Sequence, residues 1–234
     1  MNGDLVVQGV RAGYGRTAVL HDVDLVVPQA TAVALLGANG AGKTTLLKVI
    51  AGVLAPMAGE IHFGGEAAGG MPQHRRAKAG ICLIPEGHGI FRQLSVRENL
   101  AIFCGGQNIG EAIDRAADTF PILRTRLRQE AGTLSGGQQQ MLALCRALVT
   151  DAPLILADEL SLGLAPVVVD EIFAAVDDLR AQGRSLLVVE QYVARAIRVA
   201  DYVYILHKGR IVFVGEPDQC RDQEIFEQYL GSVA

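Results

Sequence analysis

Tryptophan is absent from this sequence, and only 5% of its 234 residues are aromatic. Aromatic side chains form the stacking platforms of many proteins that bind single-stranded nucleic acid, and basic faces attract its phosphates. The formal net charge is −4, and we identify no basic tail or stripe. We therefore expect no nucleic-acid partner.

Long apolar runs are also missing. Half of the residues are hydrophobic and the mean hydropathy is +0.28, so the chain can build a large core. Its longest apolar stretches, residues 31–36 and 199–206, are shorter than the ~18 residues that a membrane-spanning helix needs. The first residues lack the basic and apolar regions of a signal peptide. We expect neither a membrane span nor a signal peptide.

Four cysteines are present, Cys82, Cys104, Cys145 and Cys220, and none of them forms a C-x-x-C pair. No histidine stands close enough in the sequence to complete a zinc-binding pattern. Such spacing is typical of reduced structural thiols in a cytoplasmic protein. A metal or redox role is the less favoured alternative.

Strand and helix signals alternate along most of the chain. Antiparallel strands are predicted first, around a turn at residues 13–15, and strands alternating with helices follow, which indicates a mostly parallel sheet covered on both faces. Between residues 87 and 150, helical signals replace the strands. We predict one domain over residues 1–234, with an α/β core from 1–86 and 151–234 and a helical subdomain at 87–150.

Turn and capping residues set the predicted boundaries. Strands are predicted at 5–10, 19–20, 23–27, 31–36, 60–63, 81–84, 154–157, 185–189, 202–207 and 210–214. Helices are predicted at 43–54, 73–78, 110–120, 136–150, 166–182 and 193–200, another begins at Ser95, and residues 64–70 form a glycine-rich loop.

One segment has the composition of a phosphate-binding loop. A buried strand ends in a glycine-rich run that opens a helix, and the run is Gly37, Ala38, Asn39, Gly40, Ala41, Gly42, Lys43 and Thr44. Glycine lets several backbone N–H groups turn toward one anion, and the helix N-terminus adds its positive dipole end. Lys43 supplies a cation for the β- and γ-phosphates, and Thr44 a hydroxyl ligand for Mg²⁺. A chance glycine-rich turn is the alternative, and the complete pattern disfavours it.

A second apolar strand, at residues 154–157, ends in two acids, Asp158 and Glu159. In open α/β sheets, ligands bind at the carboxyl ends of strands, so both acids are expected beside the phosphate loop. Asp158 is then placed to bind Mg²⁺, and Glu159 to polarise the attacking water. Without the phosphate loop, a solvated strand end is the better interpretation.

A third motif, the run LSGGQ at residues 134–138, opens the helix predicted at 136–150. Ser135 is a typical N-cap, and the helix dipole favours an anion in front of it. An ordinary serine-capped helix is the alternative. Because the chain already has one complete phosphate loop, a second anion-binding helix start indicates the nucleotide of a second chain.

The run LSGGQ upstream of the acidic strand resembles the signature of ABC-type ATPases, and the resemblance covers nearly the whole chain. It implies an α/β P-loop NTPase (RecA-like) core with a mostly parallel sheet, an N-terminal antiparallel β subdomain and an inserted α-helical subdomain. In that family two such domains pack head to tail, so that the signature of one closes over the ATP of the other. The implied ATP-binding residues are Tyr14, Gly37, Ala38, Asn39, Gly40, Ala41, Gly42, Lys43, Thr44, Thr45, Ser135, Gly136, Gly137 and Gln138.

The resemblance also assigns contacts beyond the motifs. Tyr14 is the aromatic residue that stacks on adenine, with a tyrosine of the hairpin turn as an equal alternative. Residues 161–164 resemble the loop that contacts the partner's site, and the helical subdomain resembles the part that touches the membrane subunits. Phe91, Leu94 and Phe103 are candidates for that second contact, with a core helix as the alternative.

Several positions depart from the common ABC pattern. Glu86 and Gln191 stand where most members have glutamine and histidine. With the runs PEG, SLGLAP and VEQ, they resemble the LivF-type ATP-binding subunits of high-affinity branched-chain amino-acid importers, in which both residues are usual. The expected metal ligands are Thr44, Glu86 and Asp158, and the expected catalytic residues are Glu159 and Gln191.

Two further departures concern single residues. Leu160 follows Glu159 where the family usually has proline. Because proline would fix the backbone there, we expect a looser approach to Ser161. His88 stands in place of a usual arginine, and we assign it no role.

The leading interpretation is a subunit that binds ATP and Mg²⁺ and hydrolyses ATP to energise the import of branched-chain or other hydrophobic amino acids. By resemblance, its partners are a second, different ATPase subunit, two integral-membrane permeases and, indirectly, a solute-binding protein, at the cytoplasmic face of the cell membrane. Import of urea- or amide-like solutes and a non-transport ABC ATPase are alternatives. A P-loop kinase is a third, and it leaves residues 134–140 unexplained.

Overall fold

The computed structural model describes residues 4–87, 89–106, 108–190 and 193–219. Their first layer is a four-stranded antiparallel sheet in the order β2-β1-β4-β5. Its strands are β1 (Leu5–Tyr14), β2 (Thr17–Val27), β4 (Ala58–Phe63) and β5 (Glu66–Ala67).

The second layer is a six-stranded sheet in the order β10-β9-β3-β8-β7-β6. All its neighbouring strands pair in parallel except β10, which is antiparallel to β9. Parallel pairing brings the carboxyl ends of β3, β6, β7 and β8 to one edge. The strands are β3 (Ala32–Leu36), β6 (Ile81–Ile84), β7 (Leu154–Asp158), β8 (Ser185–Val189), β9 (Tyr202–His207) and β10 (Arg210–Gly215).

Eight helices are assigned among the described residues. Four of them, α3 to α6, follow one another between β6 and β7, and α6 packs on α3, α4 and α5 as well as on β6 and α7. The helices are α1 (Lys43–Ile50), α2 (Gln73–Ala79), α3 (Val96–Phe103), α4 (Ile109–Thr119), α5 (Pro121–Arg124), α6 (Gly136–Thr150), α7 (Pro166–Ala181) and α8 (Val193–Val199). In the part of the chain that the structure describes, no helix is both long and apolar enough to cross a bilayer.

Burial explains why the central strands read as continuous apolar runs. Every residue of β3, β7 and β8 is buried. Successive side chains of β3 point to opposite faces: Val33 and Leu35 pack toward the antiparallel sheet and α1, and Ala32 packs toward the helices on the other side. The parallel sheet is thus covered on both faces, and the predicted fold class is confirmed.

The elements differ from their predicted bounds in a few places. β1 continues to Tyr14, and β2 runs unbroken from Thr17 to Val27 through a register irregularity near Asp22, whose φ is 56°. The predicted loop at 64–70 contains β5, and α5 was not predicted. Phe103 is 8% exposed and belongs to the core, which favours the core alternative over a permease contact, whereas Phe91 is 44% exposed. The subdomain boundaries stay a prediction.

A buried arginine holds the end of α1. Arg76 is 1% exposed, and its guanidinium donates to the carbonyl oxygens of Val49 at 2.6 Å, Ile50 at 2.7 Å, Gly69 at 2.9 Å and Met71 at 3.0 Å. The last carbonyls of a helix lack intrahelical donors, and Arg76 supplies them. α1 therefore ends at Ile50, earlier than predicted.

Replacing Arg76 by methionine should lower the free energy of unfolding by about 3 kcal/mol, because several buried carbonyls lose their donors. Arg75 is its exposed neighbour on α2, and Arg75→Met is the matched control with little effect. Urea unfolding of the two variants measures the difference. Equal stability of both variants would contradict a capping role for Arg76.

Candidate active site

The glycine-rich loop at residues 37–44 joins β3 to α1 through left-handed backbone. The φ angles are 155° at Gly37, 79° at Gly40 and 109° at Gly42, where a side chain is strained. A Cβ atom on Gly37 would also lie 2.2 Å from the carbonyl oxygen of Leu206. The first N–H groups of α1 have no intrahelical acceptor, so this turn is suited to an anion.

Lys43 is buried beneath the loop, with 6% of its surface exposed. Its Nζ donates to the carbonyl oxygens of Gly37 at 2.8 Å and Ala38 at 3.2 Å. Burial is the largest influence on this ammonium and lowers its pKa, while the charges of Glu159 and Asp158 act in the opposite direction. Lys43 thus places a positive charge beneath the loop, where it can attract an anionic ligand.

A hairpin from the far end of the chain braces the loop. The N–H of Gly209, in the turn between β9 and β10, donates to the carbonyl oxygen of Ala41 at 2.9 Å. The Gly209 carbonyl in turn accepts from the N–H of His21 at 2.8 Å. A Cβ atom on Gly209 would lie 1.9 Å from the Val19 carbonyl oxygen, so only glycine fits. The sequence predicted this turn but not its contact with the loop.

The predicted acids lie where the parallel strands end. Asp158 closes β7, is 2% exposed, and accepts a hydrogen bond from Thr44 Oγ1 at 3.3 Å. Glu86, just past β6, and Glu159 share one cavity with the phosphate loop. This cavity has a volume of about 430 Å³ and is lined by Val19, Asn39, Gly40, Gly42, Lys43, Thr44, Thr45, Glu86, Glu159 and Leu162.

Burial and neighbouring charges together shift the protonation of Asp158. Burial is the largest cause and raises the pKa of this carboxyl, the hydrogen bond from Thr44 lowers it, the charges of Glu159 and Glu86 raise it, and Lys43 lowers it. The resulting pKa is about 6. Excess negative charge at this position is what a bound cation would relieve.

Glu159 occupies a left-handed backbone conformation, with φ of 51°, which few non-glycine residues adopt. Its N–H donates to the Val189 carbonyl oxygen at 2.9 Å. Leu160 is 1% exposed and Ser161 2% exposed, so the leucine side chain anchors the turn in the core. The loosening expected from the missing proline stays a prediction.

Helix α6, which the LSGGQ run opens, begins with a complete capping box. Ser135 Oγ accepts from the N–H of Gln138 at 3.3 Å, and Gln138 Oε1 accepts from the N–H of Ser135 at 3.3 Å. Gly137 is required for packing, since a Cβ atom there would lie 2.5 Å from Val168 Cγ1 on α7. Ser135 and Gly136 are exposed. The described lining of the cavity includes no residue from 135 to 138.

Of three further residues singled out in the sequence, the structure describes only Tyr14. Tyr14 ends β1 with half of its surface exposed and is not part of the described lining. Gln191 and His88 lie outside the described residues. Val19, which no motif indicated, lines the cavity, as does Leu162 of the run SLGLAP.

Comparison with known proteins decides the family. Residues 20–161 match the sequence profile of the ABC transporter family. The chain belongs to this family. It is 42% identical to the high-affinity branched-chain amino acid transport ATP-binding protein BraG of Pseudomonas aeruginosa, over 85% of this chain and 87% of that one.

Two further similarities span nearly all of this ABC ATPase. The probable branched-chain amino acid transport ATP-binding protein LivF of Archaeoglobus fulgidus is 37% identical over 94% of each chain. A solved ATP-binding subunit of an ABC transporter superposes with a TM-score of 0.83 at 29% identity, covering 94% of this chain and 92% of the other. The chain is thus an ABC-type ATP-binding subunit with ATPase activity.

An arginine of the helical region fixes the loop that carries Glu86 in this ABC ATPase. Arg146 on α6 donates to the carbonyl oxygens of Leu83 at 3.3 Å and Gly89 at 2.7 Å, on either side of Glu86. Its guanidinium lies 4.7 Å from the centroid of the Phe103 ring. Burial lowers the pKa of Arg146. No sequence motif signals this residue, because its partners are distant in the chain.

The oxygen donors at the base of the cavity suit one kind of metal. Among the described residues, no three His, Cys, Asp or Glu side chains converge to hold an ion by themselves. Thr44 Oγ1 and Asp158 Oδ1 lie together, and Mg²⁺ commonly takes one or two protein oxygens and completes its shell with phosphate and water. The donor set therefore fits a metal that arrives with a nucleotide.

Asp158→Asn should stabilise the protein in the absence of nucleotide and metal. Between the ordinary pKa of 3.8 and the raised value of about 6, the folded state binds more protons than the unfolded state, so unfolding free energy falls as pH rises through this interval. The variant should lack this fall and gain up to about 3 kcal/mol at pH 7.

Urea unfolding between about pH 4 and pH 8 measures the effect. Asp118→Asn, at an exposed position of α4, is the control and should keep the pH dependence of the wild type. A fall of unchanged size in Asp158→Asn would contradict the assignment of this titration to Asp158.

Proposed function

We propose that this ABC ATPase energises the import of branched-chain or other hydrophobic amino acids. The identity with BraG, 42% over 85% of the chain, is the observation that carries the proposal. The name of the LivF relative points to the same solutes. Export and non-transport functions receive no comparable support from the departures at Glu86 and Gln191.

ATP binds through residues 37–45 in this proposal. The backbone N–H groups of the loop and of the first turn of α1 surround the phosphates, as the left-handed glycines and the free helix start allow. Lys43 exchanges its two carbonyl acceptors for β- and γ-phosphate oxygens. Tyr14, half exposed at the end of β1, stacks on the adenine ring.

Thr44 and Asp158 hold Mg²⁺ together with the phosphates, and Glu86 faces it across the cavity. The contact at 3.3 Å between Thr44 Oγ1 and Asp158 Oδ1 supports this assignment, because it brings two oxygen ligands together. The raised pKa of Asp158 supports it as well, because a bound cation would stabilise the ionised carboxylate. When bound, the ion neutralises charge that develops on the phosphate oxygens. Most members of the family have glutamine at the position of Glu86. We therefore expect the dependence of turnover on Mg²⁺ to differ between this chain and those members.

Hydrolysis depends on Glu159 and Gln191. Glu159 lines the cavity and polarises the attacking water, whose proton it accepts. Gln191 donates a hydrogen bond to the γ-phosphate, and its amide does not titrate. The pH dependence of turnover therefore contains no histidine ionisation from position 191.

A second ATPase subunit completes each site. Ser135, Gly136, Gly137 and Gln138 present a capped helix start that the described lining of this chain's own cavity does not include, so they serve the ATP of the partner. Exposed Leu162 lines the cavity mouth and adds an apolar contact. The partner is a different ATPase, and the pair binds two permeases, with a solute-binding protein delivering the amino acid, at the cytoplasmic face of the membrane.

The complex purified through this chain should therefore contain integral-membrane subunits and drive ATP-dependent leucine uptake into proteoliposomes. Glu159→Gln should lower uptake and ATP hydrolysis by at least about 100-fold while ATP binding is retained, because the water loses its base. Glu66→Gln, on exposed β5, is the matched control with unchanged turnover.

Other outcomes separate the alternatives. Uptake of urea or acetamide without leucine uptake would contradict the amino-acid assignment. Purification without any membrane subunit, with ATP hydrolysis intact, would indicate a non-transport ABC ATPase. Phosphate transfer to a small molecule would indicate a kinase.

A further inference from the structure

Glu190, which directly follows β8, is a glutamate in the interior of the protein, with 1% of its surface exposed. Both carboxylate oxygens contact one residue: Ser161 Oγ donates to Oε2 at 2.6 Å, and the N–H of Ser161 donates to Oε1 at 3.1 Å. Hydrogen bonds to a carboxylate are roughly twice as strong as neutral ones. Glu190 thus holds the loop that follows β7 at Ser161.

The loop that Glu190 holds begins at Glu159, the expected catalytic residue. Glu159 lies two residues before Ser161, and its φ of 51° is a strained conformation for a residue other than glycine. Such a conformation persists only where the surroundings impose it.

Three contacts impose it here. The N–H of Glu159 donates to the Val189 carbonyl oxygen at 2.9 Å, the side chain of Leu160 is buried in the core, and Ser161 is bound at two atoms by Glu190. Two of these contacts come from the end of β8. Without the contact at Ser161, the turn keeps the hydrogen bond from the Glu159 N–H but loses the hydrogen bonds that hold the chain where it leaves the turn.

We propose that Glu190 is a positioning residue: through Ser161 it holds Glu159 in the left-handed conformation that directs its carboxylate into the cavity. The inference rests on the proposed role of Glu159 in hydrolysis.

Steady-state ATP hydrolysis by the assembled complex tests this role. Ser161→Ala, which deletes one oxygen atom, and Glu190→Gln, which removes the charge at nearly constant shape, should each lower kcat about tenfold, because a displaced catalytic group loses rate. The KM for ATP should stay within about twofold, since the phosphate loop is untouched. Ser161→Thr keeps the hydroxyl and should restore most of kcat.

The effects of the Ser161 and Glu190 substitutions on kcat should also not be independent. The double variant Ser161→Ala, Glu190→Gln should lose less than the product of the two single effects, because both changes weaken the same pair of hydrogen bonds. Ser185→Ala is the matched control: Ser185 is buried at the other end of β8, where its Oγ accepts from the N–H of Ala30 at 3.0 Å. Its loss should lower stability and leave kcat unchanged.

Several results would overturn the role of Glu190. These are a wild-type kcat in both single variants, equal impairment of Ser161→Thr and Ser161→Ala, or a loss in Ser185→Ala as large as in Ser161→Ala. Where Glu190→Gln yields no folded protein, the two Ser161 variants decide alone. Glu159→Gln, measured alongside, separates the two claims: if it hydrolyses ATP at the wild-type rate, the proposed function fails, and if it is inactive while Ser161→Ala is not, only this inference fails.

Discussion

Parallel pairing of β3, β8, β7 and β6 is the constraint on which the site depends. It places the phosphate loop, Asp158, Glu159 and Glu86 at one sheet edge although they are far apart in the chain. At that edge an anion-binding loop faces several carboxylates across one cavity. Burial, together with the charges of Glu159 and Glu86, raises the pKa of Asp158, and a phosphate chain that carries its own cation would stabilise the ionised carboxylate.

The rest of the structure keeps this edge rigid. Arg76 closes the end of α1 from within the core, Gly209 braces the phosphate loop, and Arg146 spans the segment that carries Glu86. Each of these groups donates to backbone carbonyls of a loop or a helix end. The site is therefore held mainly through its backbone, which leaves the functional side chains free to contact ligands.

Much of this arrangement could be predicted from the sequence because local rules govern it. The glycines at 37, 40 and 42 need left-handed backbone, Ser135 caps a helix with Gln138, and the acids follow an apolar strand, so spacing alone indicates them. Arg146, Glu190 and the packing of Gly137 on Val168 could not be predicted, since each depends on a contact between segments distant in sequence. The burial of Leu160 is a further example, because it depends on the surrounding core and not on the local sequence.

Half of each proposed ATP site is contributed by a second chain. The capped start of α6 is exposed at Ser135 and Gly136 and is not part of the described lining of this chain's own cavity, and in the proposed function it contacts the nucleotide of a partner. The most direct measurement is a cryo-electron microscopy structure of the intact complex carrying Glu159→Gln, with ATP bound to both ATPase subunits. We expect Ser135 within hydrogen-bond distance of the γ-phosphate held by the partner subunit. If Ser135 faces solvent while both nucleotides are bound, the composite site is contradicted.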